Sequence, residues 1–183
     1  MNEGVSFEVV TLAGGCFWCI EAVFGEVDGV EGVTSGYTGG TTANPTYEEV
    51  CTGTTGHAEV VQVRFDPSRV SYREILEVFF SVHDPTTLNK QGADVGTQYR
   101  SAIFYQDQEQ LATAQALIEE LSASDRWQEP IVTELAPLET FYRAEDYHQE
   151  YYTHNSSQPY CRLVITPKLL KFREHFSFKL KPG

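Results

Sequence analysis

The chain has 183 residues, a length that corresponds to about one domain. Hydrophobic residues make up 41% of it and charged residues 21%, a composition that excludes a disordered or fibrous protein. Thirteen lysines and arginines stand against 26 aspartates and glutamates, which gives a formal net charge of -13. Nucleic acids and anionic membranes are therefore disfavoured as partners, because both are bound through clustered cations.

The start of the chain does not have the pattern of a signal peptide, since Glu3 and no lysine or arginine precedes the first apolar residues. No run approaches the ~18 apolar residues that a membrane span needs. The four cysteines are too few for a secreted disulfide scaffold, and such thiols are typically reduced, catalytic or metal-binding. We therefore expect a cytoplasmic protein.

The predicted elements alternate between strands and helices. The predicted strands cover residues 5–12, 30–37, 58–65, 101–105 and 131–135. The predicted helices cover residues 16–24, a short piece around 47–51, 72–83, 109–122 and 168–175. This alternation predicts an α/β or α+β fold around one sheet. We find no repeat or linker, and we predict a single catalytic domain over residues 1–183, with a C-terminal segment at 155–183.

The segment GGCFWC at 14–19 joins the first predicted strand to the first helix. A cysteine at a helix start lies at the positive end of the helix dipole, which favours the thiolate and lowers the pKa. Cys16 is therefore a candidate nucleophile, and the two preceding glycines would allow a substrate to approach the backbone closely. Phe17 and Trp18 could form an apolar wall for a small group, although core aromatics beside an inert thiol would give the same pattern.

The pair Cys16 and Cys19 allows three interpretations. A C-x-x-C pair near a strand–helix unit is the signature of a thioredoxin-like disulfide exchanger. A zinc site would need further ligands from Cys51, His57 or Cys161, but a second closely spaced ligand pair is missing. The third interpretation is a thiol enzyme whose cysteine sulfenic acid is resolved by another cysteine.

Glu59 is a candidate proton donor. It has the same parity as the apolar positions 61, 63 and 65 of its strand, so its side chain is predicted to point into the core unless the strand end frays. Burial raises the pKa of a carboxyl group and keeps it protonated near neutral pH. Further polar candidates are two phenols, one carboxylate in a glycine-rich loop and a later acidic and aromatic cluster: Tyr47, Tyr99, Asp94 and 145–149. Two histidines, His57 and His148, are interpreted as structural hydrogen-bonding residues.

These segments together resemble the A-type peptide methionine sulfoxide reductases, which act on the S epimer of the sulfoxide. The matching segments, in order over residues 7–165, are GGCFWC, GYTGG, TYEEVC through GHAEVV, DVGTQYRSAI and EDYHQEY. The resemblance implies a two-layer α/β sandwich of ferredoxin-like type around a mixed β-sheet, with a long irregular C-terminal segment. It makes the thioredoxin-like interpretation the second choice.

The resemblance also implies a role for each candidate residue. Cys16 attacks the sulfoxide sulfur and becomes a sulfenic acid, while Glu59 protonates the sulfoxide oxygen. The implied substrate contacts are Phe17 and Trp18 with the methyl group, Tyr47 and Tyr99 with the oxygen, and Asp94 and Asp146 with the polar side of the pocket and the substrate backbone. Methionine sulfoxide, free or in proteins, is then the substrate.

The resemblance implies that a second cysteine resolves the sulfenic acid as an intramolecular disulfide, which thioredoxin reduces without a bound cofactor. Cys161 occupies the position of a resolving cysteine in similar proteins, and a mobile C-terminal segment would carry it to Cys16. Cys19 is the alternative, because it lies only one helical turn away. Cys51 is predicted to be a packed thiol.

Overall fold

The computed structural model describes residues 4–182 and contains a mixed six-stranded sheet with the strand order β7-β6-β1-β3-β2-β8. Its strands are β1 (Glu8–Ala13), β2 (Val30–Thr38), β3 (Ala58–Phe65), β6 (Ala102–Tyr105), β7 (Glu134–Pro137) and β8 (Tyr142–Arg143). Strands β1 and β2 both run antiparallel to β3, β6 runs antiparallel to β1, and β7 runs parallel to β6. A separate hairpin consists of β4 (Lys90–Gln91) and β5 (Asp94–Val95).

Six α-helices accompany these strands in the part of the chain that the structure describes. They are α1 (Phe17–Phe24), α2 (Tyr47–Cys51), α3 (Tyr72–Val82), α4 (Gln108–Ser122), α5 (Tyr151–Asn155) and α6 (Thr166–His175). Helix α1 packs on β2 and β3, α4 packs on α3 and β6, and α6 contacts both α1 and α3. None of the helices within residues 4–182 is long and apolar enough to cross a membrane.

The central part of the fold is ferredoxin-like, as predicted. The elements β1-α1-β2 and β3-α3-β6 form two units whose strands interleave in the order β6-β1-β3-β2. The added strands β7 and β8 extend the two edges of this sheet. The mixed sheet with helices packed on it confirms the predicted fold class.

The main core lies between the sheet and the helices. The side chains of Leu12, Val61 and Val63 are fully buried there, and Leu12 and Val61 are paired between β1 and β3. Residues of the opposite parity, such as Val60 and Phe104, pack in a smaller cluster on the other side of the sheet. This alternation along β3 determines the direction in which Glu59 points.

The C-terminal segment is more regular than predicted. Residues Cys161–Ile165 form a π-helical turn that continues directly into α6. Pro167, in the first turn of α6, has no backbone N–H and its ring would clash with the carbonyl of residue 163, which gives a physical reason for the local widening. Cys161 is therefore part of a helix that packs on α1, rather than of an irregular tail.

Strand β7 covers residues 134–137 instead of the predicted 131–135. Pairing with β6 starts at Ala102 and Glu134, and the Glu134 N–H donates to the carbonyl of Ser101. Ile131 packs against the core before this pairing begins, so its apolar character reflects burial and not strand pairing.

Candidate active site

The candidate site is located where β1 ends and α1 begins. Cys16 is the N-cap residue of α1, with an extended backbone, and it is buried. Gly15 has a φ of +94°, and a Cβ placed on it would lie 2.7 Å from Cγ of Gln91. A Cβ on Gly14 would lie 3.0 Å from the ring of Phe79. The two glycines thus allow the chain to pack closely against Gln91 and Phe79, and a role in admitting a substrate stays a prediction.

The predicted acidity of Cys16 is also wrong for this conformation. Burial raises the pKa of the Cys16 thiol well above its ordinary value, and its hydrogen bond with Cys19 and the charge of Glu59 raise it further. The dipole of the eight-residue helix α1 does not compensate for this desolvation. Cys16 is therefore held as a neutral thiol in the reduced protein.

Cys19 is the more acidic thiol of the pair. The hydrogen bond with Cys16 lowers the pKa of Cys19 to about 7, and the positive charge of Lys168 acts in the same direction. The phenol oxygen of Tyr160 lies 3.8 Å from Cys19 Sγ and donates its hydrogen bond to Oδ2 of Asp94 at 2.8 Å. Cys19 is thus connected to the C-terminal segment through the residue that precedes Cys161.

Glu59 points into the core, as its parity predicts. Its side chain is 1% exposed; Oε1 accepts the backbone N–H of Phe17 at 3.2 Å, while Oε2 has no partner within the described residues. Burial raises the pKa of Glu59 to about 8, and the charge of Asp94 contributes to the rise. At neutral pH the carboxyl group is therefore protonated and has a free oxygen position from which a proton can be donated.

Two phenols and a carboxylate lie near enough to Glu59 to interact with it electrostatically. The pKa values of Tyr47 and Tyr99 are raised above the ordinary range, mainly by burial and also by the charge of Glu59, so both phenols remain hydrogen-bond donors. Tyr47 begins helix α2, and Tyr99 ends a 3-10 turn. The structure thus brings Tyr47, Tyr99 and Asp94, which are far apart in sequence, into the neighbourhood of Glu59.

Phe17 and Trp18 belong to an aromatic cluster that also includes His148, which forms a structural hydrogen bond as predicted, and Tyr151, which sequence reasoning missed. The ring of Tyr151 stacks on Trp18, with ring centroids 3.8 Å apart. The indole N–H of Trp18 donates to Nδ1 of His148 at 3.0 Å, while the His148 ring lies 4.4 Å from that of Tyr47. The arrangement is an apolar wall with fixed ring positions, suited to a small group such as a methyl.

Asp146 lies outside this cluster. Its side chain is 94% exposed and forms an ion pair with Arg143. The neighbouring Glu145 has the inward position instead, because its carboxylate accepts the Tyr37 hydroxyl at 2.9 Å and the Tyr47 backbone N–H at 3.0 Å. The motif EDYHQEY does contribute to the site, but through Glu145 and His148.

All four cysteines are free thiols in the structure. Cys161 is fully buried, and the charge of Cys19 adds to burial in raising its pKa. Cys51 is exposed, so the prediction of a packed thiol is wrong: Val50 occupies the core position of α2, and the next residue points outward. Within residues 4–182, no group of three or more histidine, cysteine, aspartate or glutamate side chains could hold a metal ion.

Comparisons with known proteins agree with this arrangement. A family model described as peptide methionine sulfoxide reductase matches residues 8–180. The Saccharolobus solfataricus protein named peptide methionine sulfoxide reductase MsrA is 59% identical over 174 residues, covering 95% of this chain and 97% of that protein. The reduced form of Mxr1 from Saccharomyces cerevisiae superimposes with a TM-score of 0.80 at 35% identity, covering 88% and 92% of the two chains. Mxr1 in complex with Trx2 gives a TM-score of 0.57 at 26% identity, covering 82% and 88%.

Proposed function

The chain belongs to the peptide methionine sulfoxide reductase family, and on that premise we propose that it reduces the S-sulfoxide of methionine, free or in proteins, at Cys16. The observation that carries this proposal is the pairing of Cys16 with Glu59. The carboxyl group of Glu59 is buried and protonated, accepts the N–H of Phe17 and has one unpartnered oxygen. Reduction of a sulfoxide requires a thiol and a proton donor next to each other.

In the proposed reaction, the sulfur of Cys16 attacks the sulfoxide sulfur as the sulfur–oxygen bond breaks. Negative charge develops on the departing oxygen, and Glu59 delivers a proton to it while Tyr47 and Tyr99 donate hydrogen bonds. One well-placed donor of this kind is typically worth ~3–4 kcal/mol in the transition state. The oxygen then becomes bonded to the Cys16 sulfur as the bond between the two sulfur atoms breaks, and the proton of the Cys16 thiol replaces the one that Glu59 gave up. Cys16 is thereby oxidised by two electrons to a sulfenic acid, and the sulfoxide is reduced by two electrons and released as methionine.

The aromatic cluster would hold the methyl group of the substrate. Phe17 and Trp18 offer an apolar surface whose rings are fixed by His148 and Tyr151. Asp94 would bind the polar part of the substrate. Asp146 remains in the proposed substrate-binding set. Because its exposed side chain is paired with Arg143, it would contact only a part of the substrate that lies at the protein surface.

For the return to the reduced state, we propose an intramolecular disulfide that is reduced by thioredoxin as an external reductant, with no bound cofactor. The Mxr1–Trx2 complex supports a protein of this class as the partner. Cys161 is the proposed resolving cysteine, and Cys19 is the alternative. We further propose one catalytic domain over residues 1–183, with residues 155–183 carrying Cys161, and a cytoplasmic location, where thiols are kept reduced.

A stereochemically resolved sulfoxide assay tests the proposed function. We expect the reduced protein to form methionine from the S epimer of a peptide sulfoxide and to leave the R epimer unchanged. A thioredoxin-like exchanger would instead reduce protein disulfides such as those of insulin and would not turn over either sulfoxide. Absence of methionine formation together with disulfide exchange would therefore replace the proposal by this alternative.

The roles of Cys161 and Cys19 are distinguished by single serine replacements. We expect Cys161→Ser to release about one methionine per enzyme molecule and then to stop, because its sulfenic acid is not converted into a disulfide that thioredoxin can reduce. Cys19→Ser should continue to turn over with thioredoxin. Cys51→Ser is the matched control, since Cys51 is exposed. The opposite pattern, with Cys161→Ser recycling and Cys19→Ser stopping, would make Cys19 the resolving cysteine.

A further inference from the structure

Glu21 is a buried carboxylate that the proposed chemistry does not use. It lies on α1, one helical turn after Phe17 and Trp18, and its side chain is 6% exposed. The hydroxyl of Ser35 donates to its Oε2 at 2.7 Å. Burial raises the pKa of Glu21, and the Ser35 hydroxyl and the backbone N–H groups of Glu150 and Tyr151 oppose this rise. Burying a carboxylate costs free energy, and the hydrogen bonds of Glu21 offset part of this cost.

The segment 149–151, which contains the backbone N–H groups that face Glu21, is also bound to β2 through Gln149. The side-chain amide of Gln149 forms a two-way contact with the backbone of Ser35: it accepts the Ser35 N–H at 3.0 Å and donates to the Ser35 carbonyl at 3.0 Å. Glu150 lies within this attached segment, and its φ of +52° is a left-handed conformation that costs free energy for a residue other than glycine. Such a conformation persists only where its surroundings hold it.

Two of the residues that contact Trp18 flank the attached residues Gln149 and Glu150. His148, immediately before them, accepts the indole N–H of Trp18 at 3.0 Å. Tyr151, immediately after them, is the first residue of α5 and stacks on the indole ring, with interplanar angle 9°. The side chain of Glu150 provides no cap for α5, so the N–H groups at this helix start depend on contacts from elsewhere.

We propose that Glu21 is a positioning residue, which holds the start of α5 against α1 and thereby fixes Trp18 between His148 and Tyr151 for substrate binding. The inference rests on the proposed function, in which Trp18 contacts the methyl group of the substrate. Glu21 lies on the same helix as Trp18, so it connects the aromatic wall to the segment that supports it without touching the substrate itself.

The test uses the fluorescence of Trp18 in the full chain. The sequence contains two tryptophans, so Trp127→Phe leaves Trp18 as the single emitter. In that parent, Glu21→Leu removes both acceptor oxygens at similar volume, and Glu21→Gln retains an oxygen acceptor for the N–H groups and an amide that can donate to Ser35. The control is Glu31→Leu, because Glu31 lies exposed on β2. Circular dichroism verifies folding of each variant.

We expect Glu21→Leu to increase the acrylamide quenching of Trp18 and to raise KM for a peptide sulfoxide about twofold to tenfold, the range for one aromatic stacking contact. The single-turnover rate at saturating substrate should change less than KM does, and Glu21→Gln should restore both values towards the parent. The control should match the parent. A change in KM alone would also follow from a general loss of packing. A change in KM that glutamine rescues and that accompanies a change in Trp18 emission shows instead that Glu21 positions Trp18.

The proposal is overturned if folded Glu21→Leu keeps the quenching and KM of the parent, or if it lowers only the saturated rate. Should Glu21→Leu not fold, Ser35→Ala takes its place: removing the donor to the carboxylate must increase Trp18 quenching, and no change would overturn the proposal. A parent without reductase activity would contradict the proposed function, whereas the fluorescence comparison would still decide whether Glu21 positions Trp18.

Discussion

We expect Cys16→Ser to abolish the formation of methionine, including the first turnover of the fully reduced protein. The reason is that no other thiol can replace Cys16 at the N-cap of α1, where it lies beside the carboxyl group of Glu59. A serine hydroxyl is a far weaker nucleophile, and the sulfur–oxygen chemistry requires an atom that can accept the oxygen. The measurement is methionine formed per enzyme molecule in a single turnover without external reductant.

The product on the protein gives this prediction a second readout. In the double variant Cys19→Ser/Cys161→Ser, the sulfenic acid has no resolving partner among these two positions, so one oxygen atom should be retained at Cys16 and be visible in the protein mass. The same double variant carrying Cys16→Ser should gain no oxygen. Methionine formation by Cys16→Ser, or oxygen uptake at another cysteine, would contradict the assignment of Cys16 as the nucleophile.

The neutral state of Cys16 has a consequence for this reaction. Because burial raises the pKa of Cys16, the proposed attack requires that the thiol lose its proton first. Its partner Cys19 has a pKa lowered to about 7 and is hydrogen-bonded to it. In the proposed mechanism Cys16 is therefore the protonated member of the pair until attack, since the thiolate is the reactive form.

The sequence predicted the part of the site that depends on local periodicity. Glu59 was assigned to the core from the parity of β3, and its burial and raised pKa agree with that prediction. The position of Cys16 at a helix start was also correct. The predicted low pKa of Cys16 is wrong. The dipole of α1 can be inferred from local sequence, whereas burial of the thiol depends on segments far along the chain.

The contacts that support Trp18 depend on long-range packing in the same way: the sequence predicts that His148 forms a structural hydrogen bond but not with which partner, and it does not single out Tyr151. His148 and Tyr151 contact Trp18 across about 130 residues of sequence, and the pattern EDYHQEY does not indicate which of its side chains point inward. Asp146 and Glu145 are adjacent, and only the turn that starts at Asp146 determines that Glu145 faces Tyr37 and Tyr47. Long-range packing thus decides what composition and spacing leave open.

Glu59 creates a conflict between stability and activity. In the unfolded chain its pKa is near 4.5, and in the folded protein burial raises the pKa to about 8. Between these pH values the unfolded chain binds fewer protons than the folded one, so the free energy of unfolding falls as pH rises from about 4.5 to about 8. At 1.36 kcal/mol per pKa unit, the full difference corresponds to at most about 5 kcal/mol.

Glu59→Gln should therefore make the protein more stable and less active. Glutamine is neutral at every pH, so the unfolding free energy should lose this fall with pH and exceed that of the wild type near pH 8, by an amount up to the bound above. The amide can still donate a hydrogen bond but cannot deliver a proton, and loss of general acid catalysis typically costs ~10²–10⁴ in rate. Denaturant unfolding at several pH values and single-turnover methionine formation measure the two effects.

Glu48→Gln is the control for a change of charge near the site, because Glu48 is exposed and its charge acts on His148 and Cys51. Its single-turnover rate should stay within a few-fold of the wild-type rate. Its free energy of unfolding should depend on pH in the same way as that of the wild type. If Glu59→Gln reduced sulfoxide at the wild-type rate, Glu59 would not be the proton donor. If its stability followed the wild-type pH profile, the buried carboxyl group would not be held protonated by the core. We expect both effects to appear together, because the desolvation that destabilises the protein near pH 8 is the same desolvation that would keep the proton on Glu59 for the proposed transfer to the sulfoxide oxygen.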